Sequence, residues 1–399
     1  MKKLLILVLS IMLVAGSFAS VYASDGGMDS VRSAVEGSKV IIGGDARVRG
    51  ICRYNYDAND DFDDDDCYWD QRVRLNITAQ ITGGVEVRVR LNAGEIDWGT
   101  GSGEFGSDED SSVTTDYAYI HIPIGTVFVD AGQMPYSWGN KFLVWDTRVD
   151  RLTIHGHSGD VTAAVFGDKL DDNQVGPDGF LNNDADQYGF DVVYSANDVE
   201  AGAIVVWIRD DLSGDDGYYG SIYLNTAVLT NVGIKAELAM LGGDALETSQ
   251  GDSPWGGFIS GEMGKDALTF GLAFAYSDNE YVADSHFTPT VFVGTDNPSA
   301  LFNFGDSNTY GPMDSILVTG TVGFAATPEL DVYGRLAYMD LELDEGDADA
   351  DAFEIDAGLT YQLAANTTYS LDVGYLMPND FSPQDDAAVA ITSKVEVYF

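Results

Sequence analysis

Between residues 353 and 363 the chain alternates without a break. Phe353, Ile355, Ala357, Leu359, Tyr361 and Leu363 take one parity; Glu354, Asp356, Gly358, Thr360 and Gln362 take the other. A period of two marks a strand with one apolar and one polar face. The pattern recurs at 368–377, 330–338, 73–81 and 85–93. Helical stripes are nearly absent, and only MDSVRSAVEG (28–37) reads as a short helix or a disordered arm. The chain predicts strands from about residue 40 to its last residue, where KVEVYF still alternates.

Short breaks separate strand pairs at 82–84, 123–126, 157–160, 195–198, 229–231, 264–267, 325–329 and 364–367. Thr82-Gly83-Gly84 supplies the positive-φ positions that a three-residue hairpin loop needs. Between the pairs lie longer Asp- and Gly-rich stretches, at 57–67, 97–113, 134–150, 169–185, 243–253, 278–312, 344–350 and 378–386. Eight hairpins plus a first and a last strand give about 18 strands; 16 fits as well, because residues 199–275 alternate less cleanly. Strands of about ten residues joined alternately by short and long connections predict an all-β, antiparallel transmembrane β-barrel. In hydrocarbon every backbone group must be bonded within the protein, so the sheet closes on itself. The competing fold is a secreted sandwich or solenoid, which also alternates. Charge along whole strands on the polar face, and the lack of helices or spacers, favour the barrel.

The front end changes the compartment. Residues 1–23 (MKKLLILVLSIMLVAGSFASVYA) carry Lys2 and Lys3, an apolar run and a small-x-small site, the marks of a secretory signal peptide, with a cut after Ala19 as an alternative. The expected organisation is a signal peptide (1–23), a short arm (24–39) and a barrel domain (40–399). The formal charge of −45 argues against nucleic acid as a partner. It does not imply disorder, because 45% of residues are hydrophobic and 12% aromatic. Cys52 and Cys67 flank an acidic loop, and an oxidising compartment permits a bridge across its base; two free thiols are the alternative.

Charge is distributed unevenly. Seven of the 20 basic residues fall on the polar face of the first three strands: Arg47, Arg49, Arg53, Arg72, Arg74, Arg88 and Arg90. A Cys52–Cys67 pair sets Arg49 opposite Asp70 and Asp45 opposite Arg74, and the 82–84 turn sets Thr78 beside Arg88 and Asn76 beside Arg90. The expectation is a pore-lining basic ladder of Arg47, Arg49, Arg72, Arg74, Arg88 and Arg90, stable because water surrounds it. The stretch MPYSWGNKFLVWDTRVD (134–150) is too apolar for bulk water. It is expected to fold into the lumen as a constriction loop containing Trp138, Asn140, Lys141, Asp146, Arg148 and Asp150, with Asp146 or Asp150 facing the ladder. An extracellular or partner-binding loop is the other reading.

On the signal peptide, the hairpin strands, the loop after GTVFVDAGQMPYSWGN, the early basic residues and the terminal Phe399, the chain resembles Gram-negative outer-membrane porins. The resemblance implies an outer-membrane location, a homotrimer, an inserted third loop, and Phe399 as the signal read by the barrel-assembly machinery. It implies contact with outer-membrane lipid and lipopolysaccharide, and passive diffusion of small hydrophilic solutes and ions rather than enzymatic activity. Alternatives are a channel specific for small anions such as carboxylates, or a non-conducting surface barrel.

No cofactor is expected. Asp63, Asp64, Asp65 and Asp66 are weak Ca²⁺ candidates, because the run lacks EF-hand spacing and its glutamate. His155 and His157 share a strand face, yet no third ligand is evident nearby, so metal is not expected there. His121 has no serine placed beside it and no G-x-S-x-G motif occurs.

Overall fold

The computed structural model describes residues 38–55, 65–98, 113–172, 184–210, 216–229, 231–244, 253–278, 281–294, 297, 300–307, 311–312, 314–342, 349–379 and 387–399. The signal peptide, the 28–37 stretch, Asp63 and Asp64 lie outside them. The first hairpins are β1 (Lys39–Tyr54), β2 (Asp66–Gln80), β3 (Glu86–Asp97), β4 (Val113–Ile124), β5 (Val127–Trp138) and β6 (Val144–Ser158). They continue through β7 (Val161–Asp172), β8 (Asp184–Ala196), β9 (Val199–Asp210), β10 (Asp216–Leu229), β11 (Val232–Gly242), β12 (Trp255–Lys265) and β13 (Leu268–Asp278). A two-residue pair, β14 (Asp306–Ser307) and β15 (Gly311–Pro312), stands apart from the main sheet. The last strands are β16 (Asp314–Thr327), β17 (Leu330–Glu342), β18 (Asp349–Ala364), β19 (Thr367–Asn379) and β20 (Ala388–Tyr398).

Eighteen of these strands form one antiparallel sheet, so the count is 18 and not 16. The sheet closes where β20 pairs with β1, from Asp45 opposite Tyr398 to Tyr54 opposite Val389. The Phe399 amide adds one more bond, to the Gly44 carbonyl. Closure leaves neither β1 nor β20 with a free edge at the seam, as backbone in hydrocarbon requires. All eight expected short turns join sequential strands. Gly83 and Gly84, at φ of 93° and 84°, make the first of them.

The period of two sorts residues between an outer and an inner face. On β9, Val205 and Trp207 point outward and stay exposed, whereas Ile204 and Val206 point inward and are buried. Outward Ile259, Leu272, Phe274, Leu336 and Phe353 are likewise exposed. A soluble monomer rarely carries an apolar surface of this extent; hydrocarbon removes the penalty. Exposed Trp69, Trp98, Trp207, Tyr218 and Trp255 lie toward the long-connection end, and Tyr194, Phe324, Tyr361 and Phe399 toward the short-turn end. These positions suit two interfacial girdles. A disulfide joins Cys52 and Cys67, which are direct cross-strand neighbours on the outer face.

Candidate permeation path

The lumen wall begins with the basic residues of β1 to β3. The register sets Arg49 opposite Asp70, Asp45 opposite Arg74, Asn76 opposite Arg90 and Thr78 opposite Arg88. Ion pairs run along the wall: Arg49 to Asp70 at 2.5 Å, Arg74 to Asp45 at 3.1 Å, Arg72 to Asp45 at 3.6 Å and Arg88 to Glu86 at 2.6 Å. Arg47 faces Arg72 on one side and Glu396 on the other. Arg90 lies 4.6 Å over the ring of Tyr117, and Arg88 donates to the Tyr119 hydroxyl at 3.0 Å.

A β-bulge adds an acid that the sequence pattern hides. Arg90 pairs with Tyr117 and Leu91 with Thr115, leaving Asp116 as the extra residue. Bulges re-aim side chains. Asp116 therefore joins Tyr117 in the lumen, where it accepts from Arg90 at 3.1 Å and from Arg148 at 2.6 Å. Six guanidinium groups, of Arg49, Arg72, Arg74, Arg88, Arg90 and Arg148, thus share five carboxylates, Asp45, Asp70, Glu86, Asp116 and Asp146.

The expected constriction loop is a β-hairpin. Pairing of β4 with β5 stops at Gln133, and pairing of β6 with β7 stops at Asp150. Between these points β5 and β6 pair only with each other, so residues 134–149 leave the wall and turn inward. Beyond the hinge, Met134 and Val149 are buried and Tyr136 packs on Phe166, while Arg148 looks back to Asp116. Arg151 anchors the base, between the rings of Tyr136 (3.9 Å) and Phe166 (3.7 Å) and paired with buried Asp168 at 2.6 Å.

The hairpin tip, residues 139–143, rests on the far wall. Gly139 has a φ of 57°, and a Cβ there would sit 2.6 Å from the Glu237 carboxylate, so only glycine fits. That carboxylate accepts from the Asn140 amide at 2.6 Å and from the Ser221 hydroxyl at 2.8 Å. Trp138 packs edge-on to Tyr223. Lys141 lies 5.0 Å over the ring of Trp145. Asp146 pairs with Arg148 of its own hairpin at 2.9 Å, and Asp150 stays at the hinge opposite Lys169. Asp116 of β4 is the acid that bonds both the ladder, through Arg90, and the hairpin, through Arg148; Asp146 bonds Arg148 alone of these two. Trp138 is buried and anchors the hairpin.

A second inward segment escaped the sequence reading. The described residues between 281 and 307, within the connection from β13 to β16, fold onto the hairpin tip and the inner face of β16 to β20. Phe142 is fully buried against Phe258, Tyr281, Phe287 and Phe304. The Tyr281 hydroxyl donates to the Phe142 carbonyl at 3.0 Å, and the Trp145 amide donates to Asp284 at 3.1 Å. Buried Glu354 on β18 accepts from the amides of Val291 (2.8 Å) and Phe292 (3.1 Å). A Cβ at Gly374 would meet both side chains at 2.8 Å. Paired alternation cannot reveal such a segment, but Tyr281, Phe287, Val291, Phe292, Phe302 and Phe304 are a dense apolar set for a long connection.

The two inserts cover different walls. Trp138, Phe166, Ile204, Val206 and Tyr223 form a packed cluster over β7 to β10. The tip and residues 281–307 form a second with Leu317, Ala337, Met339, Ala352, Leu376 and Ala390 of β16 to β20. The arginine wall of β1 to β4 stays partly accessible, with guanidinium side chains 14–39% exposed. The accessible lumen therefore runs along charged residues on one side and an apolar partition on the other.

No protein-family model matches the sequence, and no curated protein matches it. Solved structures do. OccK3 (OpdO) of Pseudomonas aeruginosa superposes with a TM-score of 0.62 at 13% identity, covering 92% of this chain and 97% of that one. A BenF-like porin from Pseudomonas fluorescens Pf-5 gives 0.60 at 14% identity, covering 90% and 99%. An anion-selective porin from Comamonas acidovorans gives 0.51 at 12% identity, covering 91% and 100%. A closed 18-stranded barrel with an inward third hairpin, superposable on these structures over nine-tenths of its length, has the porin fold.

Proposed function

We propose that the protein is a passive channel of the Gram-negative outer membrane, carrying small hydrophilic solutes with a preference for small anions such as carboxylates. The observation that carries this reading is the partly accessible arginine wall, where six guanidinium groups share five carboxylates beside the packed inserts. A low-dielectric partition strengthens the field of the facing charges. The narrow part of the path thus attracts anions although the whole chain carries −45. The net charge of the whole chain acts at longer range, and salt screens it over about 10 Å at 0.1 M. No covalent step is involved. The reading includes a homotrimer, lipopolysaccharide at the outer rim, and Phe399 as the signal for the assembly machinery.

Planar-bilayer recording tests it. Purified protein gives discrete open steps, and a salt gradient gives a reversal potential of the sign for anions. Neutralising Arg88, Arg90 and Arg148 to glutamine together moves that potential toward cation preference. An unmoved potential refutes the role of the wall. Absence of any step refutes the channel and leaves a barrel closed by its inserts.

A further inference from the structure

Three neighbouring strands bring together a set of side chains that the sequence holds far apart. His121 on β4, Asp130 on β5 and His155 on β6 meet on the inner face, toward the short-turn end. The register makes this unavoidable: His121 is opposite Asp130, and Asp130 is opposite Thr153, one same-face step from His155. Asp130 Oδ1 lies 2.6 Å from His121 Nδ1, and Asp130 Oδ2 lies 3.0 Å from His155 Nε2. One ligand atom from each of the three residues lies within 4.8 Å of the other two. The Phe128 ring lies 5.2 Å from each imidazole, and the two imidazoles lie 6.2 Å from each other. These ring contacts restrain the imidazoles before any ligand arrives.

We propose that His121, Asp130 and His155 form a binding site for one divalent transition-metal ion, of the Zn²⁺ class, inside the lumen. Two imidazole nitrogens and one carboxylate oxygen are the donors that borderline metals prefer, whereas Mg²⁺ and Ca²⁺ take oxygen donors. Bond lengths near 2.0–2.2 Å around a tetrahedral ion require ligand atoms about 3.4 Å apart, so the His121 contact opens by about 0.8 Å and the His155 contact by about 0.4 Å. The site is reachable, since the three side chains are 15–29% exposed, and water completes the coordination. The surroundings favour a cation. Glu86 is opposite His121 in the register and pairs with Arg88, and Asp191 approaches His155 from β8. His157 does not belong to the site: its ring lies 6.2 Å from that of Phe128, and its nitrogens are not among the ligand atoms that converge. The missing partners of the H-x-H pair thus come from the two preceding strands, and only His155 takes part.

The test is isothermal titration of untagged, folded protein in detergent with ZnCl2, with MgCl2 as the comparison. It needs no conduction, so failure of the channel reading leaves it intact. The expected result is one Zn²⁺ per chain, no Mg²⁺ heat, and affinity at least 10-fold lower in His155→Ala and in Asp130→Asn, which keeps the shape of the carboxylate. His157→Ala binds as the parent does. Heat-dependent migration in detergent gels checks that each variant is folded. Binding by the parent at no defined stoichiometry, or equal binding by the parent, His155→Ala and Asp130→Asn, overturns the proposal.

Discussion

Replacing Glu237 by alanine should make the inserted hairpin unsteady. The Glu237 carboxylate is 3% exposed and accepts from the Asn140 amide at 2.6 Å. The amides of Phe142 and Leu143 are also turned toward it. A hydrogen bond to a charged group contributes about 1.5–3 kcal/mol. Loss of the Asn140 bond alone therefore raises the undocked population about 10- to 150-fold, at 1.4 kcal/mol per factor of ten. Phe142 still fills its aromatic pocket and Tyr281 still holds its carbonyl. The hairpin consequently stays docked most of the time and leaves briefly. Single-channel recording in planar bilayers reads such excursions as open-state noise. The expected order is Glu237→Ala noisiest, Glu237→Gln intermediate because an amide oxygen remains as acceptor, and the parent quietest. If Glu237→Ala is as quiet as the parent while its gel migration shows a folded barrel, the latch argument is wrong.

Gly139→Ala should give the same noise by strain, since it combines a positive φ with a 2.6 Å approach to Glu237; an unchanged trace counts against it. Glu354→Ala removes the acceptor for the Val291 and Phe292 amides and should speed limited proteolysis within residues 281–307, with unchanged cleavage as the contrary result. Arg151→Ala leaves Asp168 fully buried without its partner, a loss of about 3–5 kcal/mol visible as a lower urea midpoint; an unmoved midpoint contradicts the anchoring role. Reducing the Cys52–Cys67 bond, which closes a segment of separation 15, should cost about 3 kcal/mol of stability and leave the reversal potential unchanged.

The barrel was legible because alternation and turn chemistry are local. Residues 353–363 and the Gly83-Gly84 turn each carry their own signal, and the registers of β1 with β2 and β2 with β3 follow from one cysteine pair and one turn. The inward course of 134–149 was legible from an apolar composition unsuited to water, though its hairpin form was not. What remained hidden depends on pairing between distant positions. Asp116 reaches the lumen through a bulge, which breaks the parity on which the reading relied. Residues 281–307 have no period, and their burial comes from Phe142 and Glu354, contributed by other parts of the chain. His121 and Asp130 were not seen as neighbours of His155, because only the stacking of β4, β5 and β6 aligns them.

The detachment of the third hairpin at Gln133 and Asp150 also sets the height of the wall. Ladder pairing between β4 and β5 covers only Ala118–Ile124 on β4. At about 3.3 Å per residue and a tilt near 40°, that stretch rises about 17 Å. An apolar barrel band is about 25 Å tall. Among the described residues, no ladder continues on that side of β4 above Ala118. Among the described residues the wall is thus lower between β4 and β7 than around the rest of the sheet, and a thinner bilayer or a protein neighbour is what would match it on that side.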